Sequence, residues 1–372
     1  IARHDARLIG MSPIRFAGLF LFLASTAPAQ MDRYIAIDNV CAWPNLTLLP
    51  DGKMLTHIFN RPSHGLHEGD IETWISEDEG RLWTKQGVPA PHEPGTTRIH
   101  VAAGLANDGA LVAVTTGWGG PKLRGHVIEP WVSRSTDGGR TWDRSGQMRV
   151  PAGVKHLIAF GNVVRMGGRR LAVPLYGARP TPEELAGQVK RIYPSLNDSY
   201  LFFSEDDGRT WGDPVLIGKD RYNETAVLRL RADRWLAAAR TVGGGMDLFV
   251  SQNEGRTWRL EASLAPPSHH PGHLLKLADG RILLTYGIRE RLRLSAEGSK
   301  PDYAIGVRFS SNEGRTWSAP ARLVSLPEST DGGYPATEQL RDGTLVTAYY
   351  SNGIPEHKRY HMGVVRWRSP AE

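Results

Sequence analysis

The sequence predicts an all-β protein, a single six-bladed β-propeller over residues 30–372, and three observations carry that prediction. An octapeptide recurs five times, and a two-strand hairpin pattern recurs six times. Composition supplies turns rather than helices, with 41 Gly, 25 Pro and 11 Trp in 372 residues. A chain of this length forms either two average domains or one large β domain. The absence of a long run with helical apolar period favours the second.

The octapeptide reads SEDEGRLW at 76–83, STDGGRTW at 135–142, SEDDGRTW at 204–211, SQNEGRTW at 251–258 and SSNEGRTW at 310–317. Its third residue, Asp or Asn, accepts hydrogen bonds from backbone N–H groups just ahead, its Gly takes positive φ, and its Trp offers a large apolar face. All of this is turn chemistry. Five near-identical copies spread round a ring do not all face one substrate, so the octapeptide is read as structural. The first Ser of successive copies is 59, 69, 47 and 59 residues from the last, which indicates one unit carrying loops of different length.

Six hairpin patterns lie at 44–61, 98–118, 156–177, 224–241, 270–289 and 334–353, each with two apolar runs and most with Asp-Gly or Gly-Gly at the turn. A third strand is expected before each octapeptide, at 71–76, 127–133, 199–204, 247–251 and 303–310, and a short fourth strand after it. Six four-stranded units make a propeller, in which each sheet covers its neighbour. The last unit has a third strand at 361–367 but no fourth, and YIAIDNV at 34–40 stands unassigned ahead of the first hairpin. That segment is expected to complete the sixth blade and close the ring.

Residues 1–29 read as upstream residues and a signal peptide, with Arg15 as the positive flank, an apolar core at 16–24 and Ala27-Pro28-Ala29 before the cleavage point. Export to the periplasm or the medium of a bacterium is therefore expected. Cys41 is the only cysteine, so stability must come from packing rather than disulfides. The net charge is +6, and +4 once the three Arg and one Asp of residues 1–29 are removed. This admits an anionic small substrate but gives no basic stripe with interleaved aromatics, so nucleic acid is not expected. No membrane contact after cleavage and a monomeric state are also expected.

In a propeller the starts of the innermost strands meet around the axis and form one mouth. Those starts are Trp43-Pro44, Arg98-Ile99-His100, Lys155-His156, Asn223-Glu224, His270-Pro271 and Gly333-Tyr334-Pro335. The ends of the second strands add Arg61, Trp118, Tyr176, Arg240 and Arg289, and the starts of the third add Glu68, Asp70, Asp198, Asp302, Arg359 and His361. Carboxylates, Tyr, Arg and His converging on one concavity are the materials of acid–base and anion-binding chemistry. The histidines show no HExxH or His/Cys spacing, so no metal and no cofactor is expected.

The octapeptide is identified as an Asp-box, and five Asp-boxes between third and fourth strands resemble the sialidase (neuraminidase) superfamily across essentially the whole mature chain. The resemblance implies an exo-α-sialidase type of glycoside hydrolase acting on a glycan with a terminal sialic acid or related carboxylated sugar. NETAVLRL is similar to the segment that gives sialidases the carboxylate assisting the nucleophile, here Glu224, with Arg240 as one arginine of the substrate clamp. Tyr334 stands where the nucleophilic Tyr is placed, and Asp70 falls in the region of the acid/base Asp. Sialidases are the exception among retaining glycosidases in using a Tyr nucleophile, and a phenol is weak until a neighbouring carboxylate takes its proton.

One departure bears on substrate. Sialidases open their first inner strand with Arg-Ile-Pro, whereas this chain has Ala42-Trp43-Pro44. Trp cannot make the bidentate contact of Arg with a carboxylate. Arg240 remains, Arg289, Arg61 and Arg98 are candidates to refill the clamp, and Trp43, His156 and His270 complete the expected substrate-binding set. Arg308, within a third strand, lies nearer the Asp-box. Two alternatives stand beside the hydrolase: a carbohydrate-binding propeller without turnover, and a propeller hydrolase or lyase acting on another acidic glycan.

Overall fold

Runs of Leu, Val, Ala and Tyr such as LVTAYYS at Leu345–Ser351 are buried along their whole length, because each strand is covered by the sheets on both sides. The computed structural model describes residues 31–151, 154–188, 196–290 and 302–370. The expected signal peptide lies outside the described residues. Among them no helix is long and apolar enough to cross a membrane.

Four sheets are four-stranded antiparallel meanders, and each begins with a predicted hairpin. The first runs Cys41–Leu48, Met54–Phe59, Ile71–Ser76, Thr84–Ala90. A second runs Tyr222–Arg231, Arg234–Thr241, Met246–Ser251, Arg259–Ala265, and a third runs His269–Lys276, Ile282–Glu290, Asp302–Ser310, Ala321–Ser325. The last is Gly332–Gln339, Leu345–Ser351, His361–Trp367, completed on its outer edge by Asp32–Asp38. That strand pairs antiparallel with His361–Trp367, Tyr34 opposite Val364, so the spare strand takes its expected place.

The remaining strands form one ten-stranded sheet. It contains the meander Thr96–Leu105, Leu111–Gly119, His126–Ser135, Asp143–Met148 and a second one, Lys155–Ala159, Arg170–Arg179, Leu196–Ser204, Thr210–Gly218. Two short parallel bridges fuse them: Thr210 and Trp211 pair with Gln147 and Met148, and Gly161 and Asn162 pair with Ala102 and Ala103. The first strand of the hairpin expected at 156–177 is accordingly broken into Lys155–Ala159, Gly161–Asn162 and Val164–Gly167. Gly161, at φ 95°, lets the chain step sideways onto the neighbouring first strand.

The first strands follow one another in a closed circle. Cys41–Leu48 packs against Thr96–Leu105, which meets Gly161–Asn162, then Tyr222–Arg231, His269–Lys276, Gly332–Gln339 and again Cys41–Leu48. Apolar layers lie between adjacent sheets, for example Leu236, Leu248 and Leu284, or Leu46, Met54 and Val346. The fold is an all-β, propeller-like ring.

All five Asp-boxes share one bond set. The Ser hydroxyl accepts the N–H of the box Gly, at 2.8 Å in Ser76–Gly80 and Ser204–Gly208 and 3.0 Å in Ser251–Gly255. The Asp or Asn accepts N–H groups ahead of it, as Asp206 does from Arg209 and Thr210 at 3.1 and 2.8 Å. The indole N–H returns to the Gly carbonyl, at 3.1 Å for Trp211. The fourth box residue is also left-handed, with Glu79, Asp207, Glu254 and Glu313 at φ 55–61°. Each box Gly faces the preceding sheet: a Cβ on Gly208 would come 2.9 Å from Val112, and one on Gly314 would come 2.9 Å from Leu236. The octapeptide therefore docks neighbouring sheets together.

Candidate active site

Every one of the six hairpins carries a bulge at the start of its first strand. The extra residues are Ala42–Pro44, Ile99, His156–Leu157, Asn223–Glu224, His270–Pro271 and Tyr334–Pro335. A bulge leaves a residue out of the ladder and re-aims its side chain. Trp43, His156, Glu224, His270 and Tyr334, all expected at the mouth, are bulge residues, and Ala42, His156 and Tyr334 hold positive φ of 29, 54 and 52°. For a bulky residue this conformation costs on the order of 1–3 kcal/mol and persists only where the surroundings enforce it.

Two of these bulges meet. The Tyr334 hydroxyl donates to Glu224 Oε1 at 2.8 Å. Arg240 Nη1 donates to Glu224 Oε2 at 2.6 Å and to the Tyr334 oxygen at 3.1 Å. The Arg289 guanidinium lies 5.0 Å over the Tyr334 ring. Tyr334 is 4% exposed, and burial, followed by the nearby Glu224 charge, pushes its phenol well above the usual range against the opposing pull of Arg240 and Arg289. The phenol is thus protonated at rest, with the carboxylate that would receive its proton already in contact.

Behind Tyr334 sits a residue the sequence reading passed over. Asp331 accepts from Arg289 Nη2 at 2.9 Å, Tyr350 Oη at 2.8 Å, Tyr360 Oη at 2.9 Å and His64 Nδ1 at 2.8 Å. Burial alone would raise its carboxyl, but His64, Arg289 and Tyr350 together hold it down to about 2. Both arginines at Tyr334 therefore already face a carboxylate: Arg240 faces Glu224 and Arg289 faces Asp331.

Trp43 forms an aromatic wall where the resemblance places an arginine. Its ring stacks on His100 at 4.6 Å, stands edge-on to His64 at 5.5 Å and tilts against Tyr334 at 5.1 Å. Phe160, turned inward by the broken strand, meets Tyr334 edge-on at 6.0 Å.

Several other expected residues are engaged elsewhere. Asp70 accepts from the backbone N–H and ring Nδ1 of His92 at 2.8 and 2.6 Å and from Asn60 at 3.3 Å. Arg98 is buried, with Nη1 on the Glu129 carbonyl, Nη2 on Glu93 and its guanidinium 3.9 Å over Trp131. Arg61 is exposed and donates through Nε to the Glu68 carbonyl at 2.9 Å. His156 is half-buried and His270 buried, each in the bulge of its own hairpin. Asp198 and Asp302 pair with Arg179 and Arg322. Among the described residues no group of three His, Cys, Asp or Glu is placed to hold a metal ion.

Residues 52–346 match the model of the BNR repeat-like domain. The chain belongs to this family. It is 24% identical over 362 residues to a sialidase of Micromonospora viridifaciens, an alignment covering 87% of this chain and 52% of that one. This BNR propeller thus spans about half the length of the curated relative it matches. Among solved structures it is similar to a Dyadobacter fermentans protein of unknown function, with TM-score 0.72, 19% identity, and coverage of 92% and 99%. It is also similar to Trypanosoma rangeli sialidase, with TM-score 0.62, 15% identity, and coverage of 89% and 55%. The NanB sialidase of Streptococcus pneumoniae matches at TM-score 0.62 and 13% identity, over 90% of this chain and 70% of that one.

Sequence reasoning on the BNR propeller missed Asp331, Tyr350, Tyr360 and Phe160. One signal was present: Asp331 stands three residues before Tyr334, and YY at 349–350 ends the same hairpin. The assembled group offers a phenol in contact with a carboxylate, two guanidinium groups and an aromatic wall.

Proposed function

We propose that this protein is an exported, monomeric glycoside hydrolase of the exo-α-sialidase type, removing a terminal sialic acid or related carboxylated sugar from a glycan without metal or cofactor. The observation that carries the reading is the Tyr334–Glu224 hydrogen bond of 2.8 Å, shared with Arg240. In this reading each meander of the ten-stranded sheet counts as a blade, and the ring is six-bladed. In the proposed reaction Glu224 takes the phenolic proton as the Tyr334 oxygen bonds to the anomeric carbon, and Arg240 and Arg289 meet the sugar carboxylate. A neutral nucleophile spares the anionic ketoside a second carboxylate at close range. The leaving oxygen takes its proton from the 60–70 loop, where the resemblance nominates Asp70.

The test is release of sugar from a fluorogenic sialoside and from a panel of other acidic glycosides, followed by Tyr334→Phe and Glu224→Gln. Loss of turnover by at least about 100-fold in both variants, with binding retained, is expected for a nucleophile and its base. Absence of turnover by the folded wild-type protein on every substrate would reject the reading. It would favour a carbohydrate-binding propeller, to which Trp43 in place of an arginine lends support, and glycan binding would then survive both substitutions.

A further inference from the structure

The 60–70 loop holds two groups able to pass a proton to a leaving oxygen, and their surroundings differ. Both oxygens of Asp70 are committed to N–H donors, Oδ1 to the backbone and ring of His92 and Oδ2 to Asn60. The Asp70 backbone N–H is held as well, by Asn60 Oδ1 at 2.9 Å. Asp70 thus works as the anchor that fixes the loop's return to the sheet.

His64 is arranged otherwise. Its Nδ1 is hydrogen-bonded to Asp331 Oδ2 at 2.8 Å, and its Nε2 has no protein partner among the described residues. Its side chain is 30% exposed, its ring is edge-on to Trp43, and Trp43 lies against Tyr334. Arg124 Nη2 grips its carbonyl from the neighbouring loop. The partner carboxylate, Asp331, is the one that holds Arg289 over the Tyr334 ring. One partly buried carboxylate therefore orients both an imidazole and the guanidinium above the Tyr334 ring. A carboxylate on Nδ1 keeps a proton on that nitrogen and turns Nε2 outward, so Nε2 gives up a proton from the imidazolium and takes one back into the neutral ring.

We propose that His64, oriented by Asp331, is the acid/base residue of this site and that Asp70 is structural. The proposal rests on the glycosidase reading and changes its third member. In the first step Tyr334 Oη bonds to the anomeric carbon and its proton passes to Glu224. The bond to the leaving oxygen breaks, and that oxygen takes the proton from His64 Nε2. In the second step water bonds to the anomeric carbon and gives one proton to His64 Nε2. The Tyr334 oxygen leaves and recovers its proton from Glu224, so every group returns to its starting state.

The test compares the full chain with His64→Asn, His64→Gln and Asp70→Asn on two sialosides, one with a 4-methylumbelliferyl leaving group and one linked to lactose. A poor leaving group needs the acid and a good one does not. His64→Asn keeps an amide N–H facing Asp331, so it separates proton transfer from anchoring. Both His64 variants are expected to lose about 100-fold or more in kcat/KM on the lactose conjugate and less than about 10-fold on the aryl sialoside. Asp70→Asn is expected to change both by one factor. Equal losses on the two substrates in both His64 variants, or a leaving-group-dependent loss in Asp70→Asn, would overturn the proposal. Wild-type protein inactive on both sialosides would overturn the glycosidase reading and this role together. An active wild type with unimpaired His64 variants would overturn this role alone.

Discussion

Replacing Asp331 by Asn keeps the side-chain shape, removes the charge and leaves four donors facing a neutral amide. Arg289 is 6% exposed in its side chain, so its guanidinium loses its carboxylate partner in a region water barely reaches. Removing one partner of a buried ion pair costs about 3–5 kcal/mol, because the other charge remains buried. The proton linkage gives an independent figure. A carboxyl held at about 2 instead of 3.8 is worth about 2.5 kcal/mol of stability above pH 4. Its folded value is depressed, so this contribution is present above the unfolded value and is lost as pH falls from about 4 to about 2. Urea unfolding at pH 7 should therefore show Asp331→Asn less stable by roughly 3 kcal/mol. The gap between variant and wild type should narrow as pH falls through that window. A difference below about 1 kcal/mol at pH 7, or one unchanged at pH 2, would refute the account of Asp331 as a charged hub.

Three further outcomes are expected. Tyr334→Phe, which removes the donor to Glu224, should abolish turnover while the urea midpoint stays near that of wild type; retained turnover would remove Tyr334 as nucleophile. Burial lowers His57 and His273 to about 4 from 6.5, so the unfolded chain binds their protons first and stability falls as pH drops from 6.5 to 4. His57→Gln should flatten that slope in urea midpoints taken across the window, and an unchanged slope would exclude His57 as its source. Asp206→Ala deprives Arg209 and Thr210 N–H of their acceptor and should cost about 1–2 kcal/mol, like the loss of a helix cap, with kcat/KM unchanged. Lost activity at unchanged stability would contradict the structural reading of the Asp-box.

How much was legible in the sequence depended on whether a feature repeats. The Asp-boxes and the hairpins obey local rules written several times over, and the closing strand at Asp32–Asp38 is the one segment those repeats leave over. Tyr334, Glu224 and Arg240 were found because their hairpins could be aligned with one another and with a known family. Asp331 could not be found that way, since its four donors come from His64, Arg289, Tyr350 and Tyr360, up to 267 residues apart in sequence. Arg289, a candidate for the clamp, reaches across to Asp331 ahead of the next sheet. Arg98 was expected at the mouth because it opens an inner strand, but it stands one residue before the bulge and lies on Trp131 instead. The broken strand at Gly161 follows from pairing between sheets, which hairpin periodicity does not encode.

The six bulges have a consequence for how such a protein changes over time. A residue outside the ladder can be exchanged without sliding the strand that follows it, so hydrophobic layers and Asp-box docking are insulated from whatever chemistry occupies the rim. The ring works like a socket with six interchangeable contacts on a fixed frame. At Trp43 this frame carries a tryptophan where the resemblance places an arginine, and the ring closes all the same.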